Sequence, residues 1–551
     1  MSENTRVLVL GLDGGSLSLI KKLADNGVMP TMASLIHRGV SGNLESTFPP
    51  ITAPAWSSFL TGKNPGKHGI FNFFKDLRNV QKRRIISYDA IKADTLISIA
   101  NQAGKKLVSI NVPVTYPPPR VDGYVISCMF TPSTLSTFTY PPDLYSDLKV
   151  KLGEYIISVP FQRYNEDNLD VFLKDVSHSL RQRTRYAEEL IGRFGWDLFM
   201  VVFSCTDYVQ HAMWNYLSDG VGAPSKTAKQ YDGLLMSFYH ELDTSIGKLL
   251  SAIDTNTQVL VVSDHGFGPL KRKFYINAWL SQMGLLHFST DLRSKLDAQA
   301  GKTLNRLKQL VVKYDRLDLR KKLKGGKRSF AYDTVFRFID WPKTKAFAGS
   351  YSEQGIYINV KGACPNGTVL PGKEYEDLRN RILSELQNIT DPDTGGKLKV
   401  EAYKREDIYS GDYVNEAADI IFILDEGQCI ADNSPSDKLF EKTNLKHGYG
   451  HHRKEGILIA SGNGIKNNAK VSGARIIDVA PTILYSLGIE IPDDMDGAVL
   501  QEIFEPSFVQ ARGDQTKKLS VGHRQASEAD EVYSEEDAKK IEERLRGLGY
   551  L

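Results

Sequence analysis

Seven short apolar runs recur along the 551-residue chain, and each predicts a strand that is covered on both faces. In these runs hydrophobic residues follow one another without the alternation that a half-exposed strand shows. Segments with a helical spacing of apolar residues separate them, at 16–27, 180–195 and 234–253. The runs are 6–12, 106–112, 197–204, 258–263, 355–360, 419–424 and 456–461. This alternation predicts an α/β fold with a mainly parallel central sheet flanked by helices.

The alternation breaks between residues 276 and 345, where the sequence is basic and helical. We expect a basic helical insertion there, over one edge of the core. Residues 1–275 and 431–505 then form the two parts of a catalytic core, and residues 346–430 form a small α/β addition with core strands. The last residues, 506–551, predict a polar, flexible tail that ends in a short helix opened by Ser534. A basic helix is most often a solvated face, and a surface for anionic membrane lipid or substrate is the alternative.

Composition narrows the class of protein. Apolar residues make up 41% and charged residues 25% of the chain, as in ordinary soluble globular proteins. The net charge of +3 is too small to indicate specific nucleic-acid binding. The four cysteines are far apart in sequence, which favours free thiols in a reducing compartment. With neither a leader peptide nor an apolar stretch of about 20 residues, the sequence predicts a cytoplasmic protein.

Polar residues with metal-binding side chains follow three of the predicted strands. The carboxyl ends of parallel strands meet in one crevice, so these side chains are expected to lie close together. Carboxylates and imidazoles without cysteine suit Zn²⁺, with Mn²⁺ or Fe²⁺ as alternatives. Taken singly, each of these residues is a common helix cap, turn former or surface pair. The residues are Asp13, Asp207, His211, Asp264 and His265.

Thr52 lies in an unusual stretch, TFPPITAPAWSSFLTGKNPGKHGI (47–70). Proline removes hydrogen-bond donors and fixes φ, so the stretch does not predict a helix or central strand at its start. Held by prolines beside a metal ion, the hydroxyl could attack phosphorus. Two ions about 4 Å apart can clamp the attacking and leaving oxygens of such a displacement. We expect the first-turn amides after Thr52 to help bind phosphate if a helix begins near Trp56.

An ordered set of motifs resembles a known family. The motifs are GLDGG (11–15), the stretch around Thr52, TDYVQH (206–211), SDHGFG (263–268) and GHHRKEGILIASG (450–462). Together they are similar to the type I phosphodiesterase/nucleotide pyrophosphatase branch of the alkaline phosphatase superfamily. Within it, they look most like the large predicted phosphohydrolase/phosphomutase proteins of prokaryotes. The likeness covers residues 5–500 and implies an alkaline-phosphatase-like core.

The resemblance implies two divalent metal sites and a phosphothreonine intermediate on Thr52. One site would use Asp13, Thr52, Asp264 and His265. The other would use Asp207, His211 and a histidine of the last motif. We favour His452 for that histidine because it directly precedes Arg453, with His451 as the alternative and His447 less favoured.

The implied reaction is metal-dependent hydrolysis of a small phosphate ester, most readily a phosphodiester or pyrophosphate. A phosphomonoesterase or phosphomutase is the alternative within the superfamily, and a catalytically silent metal-dependent binding protein is the alternative outside enzymes. Asn72 and Lys67 are candidate substrate-binding residues, although Asn72 stands one position before the asparagine of the nucleotide pyrophosphatases. Lys63 and Arg453 are either phosphate contacts or ordinary charges, and His68 is expected to be structural. Neither the natural substrate nor the oligomeric state can be inferred from the sequence.

Overall fold

The computed structural model describes residues 5–76, 78–79, 82–164, 168–217, 226–289, 336, 339–349, 353–443, 450–513, 532–548 and 550. The strands within these ranges are β1 (Arg6–Leu12), β2 (Gly39–Glu45), β3 (Phe74–Lys75), β4 (Arg84–Ile85), β5 (Leu107–Ile110), β6 (Gly123–Ile126), β7 (Thr139–Tyr140), β8 (Leu198–Phe203), β9 (Thr257–Val262), β10 (Gly266–Pro269), β11 (Arg272–Tyr275), β12 (Ala346–Phe347), β13 (Gly355–Ile358), β14 (Val400–Lys404), β15 (Ile420–Leu424), β16 (Cys429–Asp432), β17 (Phe440–Lys442), β18 (Gly450–Arg453), β19 (Glu455–Gly462), β20 (Ala469–Lys470) and β21 (Ala474–Arg475).

The α-helices in the same ranges include two long ones, of 25 and 26 residues, and many short ones. They are α1 (Leu17–Asp25), α2 (Pro30–His37), α3 (Thr52–Thr61), α4 (Pro65–His68), α5 (Leu96–Gln102), α6 (Leu144–Leu152), α7 (Leu169–Arg193), α8 (Cys205–Leu217), α9 (Lys226–Ser251), α10 (Ile276–Gln282), α11 (Lys373–Gln387), α12 (Arg405–Ile408), α13 (Val479–Leu487), α14 (Pro506–Arg512) and α15 (Glu535–Gly547).

A ten-stranded sheet forms the centre of the molecule, in the order β20-β2-β19-β9-β1-β8-β5-β6-β7 with β21 beside β2. The strands from β9 to β6 run parallel, and every residue of β8 and β9 is buried. In the register, Gly11 of β1 lies between Val202 of β8 and Val262 of β9. The three strands therefore end at the same level of the sheet. The predicted α/β class with a large central sheet is confirmed.

Two predicted strands belong elsewhere, however. β13 and β15 lie in a second, seven-stranded sheet, in which most neighbours are antiparallel. β19 joins the central sheet but pairs antiparallel with both β2 and β9. Every residue of β13 and β15 is buried. Burial on both faces produces a continuous apolar run whatever the direction of pairing, so the pattern predicted the strands and not their sheet.

The predicted basic insertion falls largely on residues 290–335, which lie outside the described residues. Its first part is visible as α10, whose residues 276–280 are all buried. The predicted terminal helix is confirmed as α15, with the Ser534 hydroxyl accepting a hydrogen bond from the backbone N–H of Asp537. The four cysteines are unpaired and buried.

The sheet and the helix that begins at Thr52 pack closely around one glycine. A Cβ atom at Gly11 would lie 2.7 Å from Cη2 of Trp56 and 2.7 Å from Cγ2 of Val202. We therefore expect Gly11→Ala to lower the free energy of unfolding by about 1–3 kcal/mol, because overpacking forces side chains or backbone to shift. Thermal and urea unfolding of the purified variant measure this.

Gly192→Ala is the matched control, since Gly192 is helical and its added Cβ would meet no heavy atom within 4 Å. Alanine is the better helix former, so this variant should be neutral or slightly more stable. A Gly11→Ala protein as stable as the control would contradict the packing described here.

Candidate active site

The predicted site residues converge where the three adjacent strands end. Asp13 directly follows β1, and Asp264 and His265 follow β9 after one serine. Asp207 and His211 lie one turn apart on α8, which begins two residues after β8. Because β8, β1 and β9 are parallel neighbours, their carboxyl ends deliver these side chains to one crevice.

One group consists of Asp207, His211 and His452. Nε2 of His211 lies 3.3 Å from Oδ1 of Asp207. Nε2 of His452 lies 3.5 Å from the same oxygen and 3.0 Å from Nε2 of His211. Oδ1 of Asp207 is buried and has no hydrogen-bond partner. Three donor atoms thus face one another at close range.

A second group surrounds His265. Its Nε2 lies 3.3 Å from Oδ2 of Asp264, 3.8 Å from Oδ1 of Asp13 and 3.3 Å from Oγ1 of Thr52. Both of these carboxylate oxygens are buried without a hydrogen-bond partner. The groups are contiguous, because the rings of His265 and His452 stack with their centroids 3.5 Å apart.

Neighbouring backbone carbonyls determine the tautomers of the three imidazoles. Nδ1 of His211, His265 and His452 each faces a backbone carbonyl, at 3.2, 3.1 and 2.9 Å respectively. A carbonyl only accepts, so each Nδ1 carries the proton and each Nε2 presents a lone pair to the crevice. Two such lone pairs 3.0 Å apart, on His211 and His452, repel each other unless a cation or a proton lies between them. Backbone carbonyls orient metal-ligating histidines in this way.

The spacing also fits a metal ion. A tetrahedral ion that binds nitrogen and oxygen at about 2.0–2.1 Å holds its ligand atoms about 3.3–3.4 Å apart. The separations in the first group are 3.0–3.5 Å, and the shorter ones in the second group are 3.3 Å. The residues present can therefore hold one ion in each group.

The pKa values of the buried carboxyl groups are shifted in opposite directions. Burial raises the pKa of Asp264 to about 8, and burial together with the nearby Asp264 carboxyl raises that of Asp13 well above its usual value. For Asp207, burial is opposed by His211 and His452, whose imidazoles, when protonated, hold its pKa well below the usual range. Burial also lowers the pKa of His265. Without a metal ion, the Asp264 carboxyl therefore retains its proton at neutral pH.

Thr52 is the first residue of α3, so the predicted helix start near Trp56 was wrong by four residues. The reason is that Pro54 lies within the first turn, where a missing N–H costs no intrahelical hydrogen bond. Every residue of the helix is buried. A buried helix fixes the position of the Thr52 hydroxyl more firmly than the loop that the prolines indicated.

The histidine of the last motif reaches the site through a short strand pair. β18 pairs antiparallel with β10, and His452 is the partner of Phe267, two residues after His265. The neighbouring His451 has its ring centroid 6.5 Å from that of His211, against 5.0 Å for His452. The geometry favours His452, as the sequence did, and His447 lies outside the described residues.

The other candidate residues have partners away from this cluster. Lys67 forms an ion pair with Asp496 at 2.5 Å and donates to the Asp494 carbonyl, and Lys63 pairs with the Asp494 carboxylate. The Asn72 side chain is buried, with Oδ1 accepting from the backbone N–H of Phe73 at 2.6 Å.

Arg453 and His68 have structural contacts. The Arg453 guanidinium donates to the backbone carbonyls of Gly427 and Pro269, among others. His68 is buried, with Nε2 2.9 Å from the Ser58 hydroxyl, and burial lowers its pKa to about 3. His68 therefore links α3 to α4, as expected for a structural residue.

A cavity of about 360 Å³ opens beside the first group. His211, His452 and Tyr550 line its inner end. Its walls carry both signs of charge, and the lysines are paired: Lys454 with Glu401 at 2.7 Å, and Lys399 with Glu426. This cavity gives a small molecule access to the cluster.

Tyr550 was missed by the sequence analysis. It comes from the end of the predicted polar tail, yet it is buried and its hydroxyl donates to Oδ2 of Asp207 at 2.7 Å. The available signal was an aromatic residue shortly after Leu545 and Leu548, two apolar positions in an otherwise charged segment.

Comparison with known proteins agrees with this arrangement. The sequence matches the family model of type I phosphodiesterase/nucleotide pyrophosphatase over residues 7–452. The chain belongs to the type I phosphodiesterase/nucleotide pyrophosphatase family. Membership places this phosphodiesterase-family chain among the hydrolases that act on phosphoric ester bonds. No curated protein is significantly similar to it in sequence.

Two solved structures show that the fold is shared. Phosphonoacetate hydrolase from Sinorhizobium meliloti 1021, in complex with phosphonoformate, is 13% identical to this chain, with a TM-score of 0.53. The match covers 88% of this chain and 95% of the hydrolase chain. Murine ectonucleotide pyrophosphatase/phosphodiesterase 5, an inactive threonine-to-alanine variant in complex with AMP, is 14% identical to this chain, with a TM-score of 0.50. The match covers 91% of this chain and 100% of the murine chain.

Within the described ranges, no helix combines the length and the apolar character needed to span a membrane.

The raised carboxyl pKa values predict how the metal-free protein responds to pH. A carboxyl group with a raised pKa binds its proton more tightly in the native state than in the unfolded chain, so stability falls as pH rises towards the native pKa. For Asp264 that value is about 8. Below about pH 6.5 the buried histidines act in the opposite direction, because their lowered pKa values favour the native state as pH rises. We expect the Tm of chelator-treated protein to fall between pH 6.5 and 8.

Calorimetric unfolding with and without Zn²⁺ measures this effect. Because a metal ion replaces the bound protons, its stabilisation should be larger at pH 8 than at pH 6.5. A metal-free Tm that rises over this range, or equal stabilisation by Zn²⁺ at both pH values, would contradict the protonated carboxyl cluster.

Proposed function

We propose that the protein is a phosphodiesterase or pyrophosphatase-type hydrolase that works through a phosphothreonine on Thr52 and uses two divalent metal ions. The observation that carries the proposal is the position of the Thr52 hydroxyl, 3.3 Å from Nε2 of His265 at the start of a buried helix. Two groups of metal-binding side chains converge on the same crevice. The family supports the reaction class.

The ions would be held by the two groups described above. Asp13, Asp264 and His265 would hold one beside Thr52, and Asp207, His211 and His452 would hold the other. Divalent ions in such sites neutralise charge on phosphate and lower the pKa of a bound hydroxyl group. The nitrogen and oxygen donors, without a thiolate, favour Zn²⁺, with Mn²⁺ or Fe²⁺ as alternatives. The inactive threonine-to-alanine variant of murine ectonucleotide pyrophosphatase/phosphodiesterase 5 supports a threonine nucleophile.

The chain's own residues define two steps. In the first, Oγ1 of Thr52 loses its proton and attacks phosphorus in line, and the bond to the alcohol or phosphate leaving group breaks. In the second, water attacks the phosphothreonine, which releases the phosphoryl product and restores Thr52. The backbone N–H of Ala53 lies in the first turn of α3, where it favours a phosphate oxygen. Pro54 contributes no N–H. The cavity lined by Tyr550 is the proposed entry for the substrate.

The buried free cysteines support a cytoplasmic location for this activity. The basic segment within 276–345 remains a proposed surface for anionic lipid or substrate.

The proposal predicts the effect of removing the nucleophile. With Zn²⁺ or Mn²⁺ present, we expect hydrolysis of bis-p-nitrophenyl phosphate, and Thr52→Ala should lower kcat at least about 1000-fold, because covalent catalysis needs the hydroxyl. Thr52→Ser should retain part of the activity. Running p-nitrophenyl phosphate in parallel separates a diesterase from the monoesterase alternative. Release of p-nitrophenol measures the rates.

Ser57→Ala is the control, because its hydroxyl lies on the same helix and donates only to the carbonyl of Ala53 among the described contacts. That variant should keep near wild-type activity. A Thr52→Ala protein that matches the wild type would refute the phosphothreonine mechanism. A wild-type protein that binds two ions but hydrolyses neither ester would favour the silent binding protein.

A further inference from the structure

The end of the chain reaches into the metal-binding crevice, where it contacts two of the residues described above. The hydroxyl of Tyr550 donates a hydrogen bond to Oδ2 of Asp207 at 2.7 Å. The same hydroxyl accepts a hydrogen bond from Oγ1 of Thr52 at 3.4 Å. The tyrosine ring stands edge-on to the imidazoles of His211 and His452, with centroids 5.7 and 5.8 Å away. Tyr550 is 3% exposed.

The segment that carries Tyr550 is fixed in the core. Ile541, Leu545 and Leu548 are buried, at 0–1% exposure. The half-buried guanidinium of Arg544 donates to the backbone carbonyls of Met129 and Thr131, the latter at 2.7 Å. These hydrogen bonds attach α15 to the segment that contains Met129 and Thr131.

Aromatic packing continues on both sides of this helix. The ring of Tyr550 packs against Phe73, with centroids 4.7 Å apart, and Phe73 in turn stacks on Phe130. Before the helix, Tyr533 stacks on Tyr116 with centroids 5.5 Å apart and ring planes within 18°. The terminal segment is therefore built into the wall of the site.

The two oxygens of Asp207 have different partners as a result. Oδ1 faces the imidazoles of His211 and His452 and accepts no hydrogen bond. Oδ2 accepts the hydrogen bond from Tyr550. An ion between Oδ1 and the imidazoles would then bind Asp207 through one oxygen, because the other is already occupied.

We propose that Tyr550 is a positioning residue of this active site: its hydroxyl holds Asp207 as a one-oxygen metal ligand and fixes the Thr52 hydroxyl beside it. The inference rests on the proposed function for the role of Thr52, but the metal-ligand part stands on the contacts of Asp207 alone. Removing a group that orients a metal ligand through a hydrogen bond lowers metal affinity or activity by about 10–100-fold.

Tyr550→Phe tests the inference, because it removes one oxygen and keeps the ring that packs on Phe73. We expect the variant to fold, as judged by near-ultraviolet circular dichroism, and to bind Zn²⁺ more weakly than the wild type by about 10-fold or more at one of two sites. Calorimetric titration with Zn²⁺ measures this without any substrate. With bis-p-nitrophenyl phosphate, kcat should fall by a similar factor while KM changes little.

Tyr533→Phe is the matched control. Its hydroxyl belongs to the same terminal segment but donates to the carbonyl of Ile86 at 3.3 Å, outside the crevice. This variant should keep wild-type metal affinity and kcat. If Tyr550→Phe does not fold, Tyr550→Leu, which is smaller, apolar and without a hydroxyl, is titrated with Zn²⁺ in its place.

Three results would overturn the inference: wild-type affinity and kcat in a folded Tyr550→Phe protein, equal losses in Tyr533→Phe, or a wild-type protein that binds no divalent ion. If the wild type binds two ions but hydrolyses neither ester, the proposed function fails, and the Zn²⁺ titration alone decides on Tyr550.

Discussion

The structure depends on one electrostatic constraint: three carboxylates and three imidazole lone pairs are buried together at the ends of three neighbouring strands. Because β8, β1 and β9 are parallel neighbours, Asp13, Asp207 and Asp264 all lie in the same crevice. Buried like charges are strongly unfavourable, so either protons or cations must occupy the crevice. The raised pKa values of Asp13 and Asp264 correspond to a crevice occupied by protons. The spacing of the donor atoms fits a crevice occupied by metal ions.

Elements from distant parts of the sequence complete the crevice. The helix α3 places Thr52 beside His265, and the packing of Trp56 against Gly11 ties that helix to β1. The pairing of β18 with β10 delivers His452, and the terminal helix delivers Tyr550. A site assembled from so many segments exists only in the complete fold.

The sequence predicted the parts of this site that rest on local patterns. Continuous apolar runs ending in aspartate identified β1, β8 and β9, and with them the crevice that holds Asp13 and Asp264. It could not assign β13 and β15 to the second sheet, because burial gives the same apolar run in either sheet. The start of α3 at Thr52 was missed because proline within a first turn looks the same as proline in a loop. Tyr550 lies in the terminal segment LRGLGYL, which fits the family resemblance but carries no sign of a site residue, since the role of Tyr550 arises from tertiary packing.

Anomalous diffraction from crystals grown with Zn²⁺, recorded on both sides of the zinc absorption edge, tests the dinuclear site most directly. We expect two peaks about 4 Å apart. One should lie within ligand distance of Asp207, His211 and His452, and the other within ligand distance of Asp13, Asp264, His265 and the Thr52 hydroxyl. An empty crevice, or a single peak outside these two groups, would contradict a two-metal phosphoryl-transfer site.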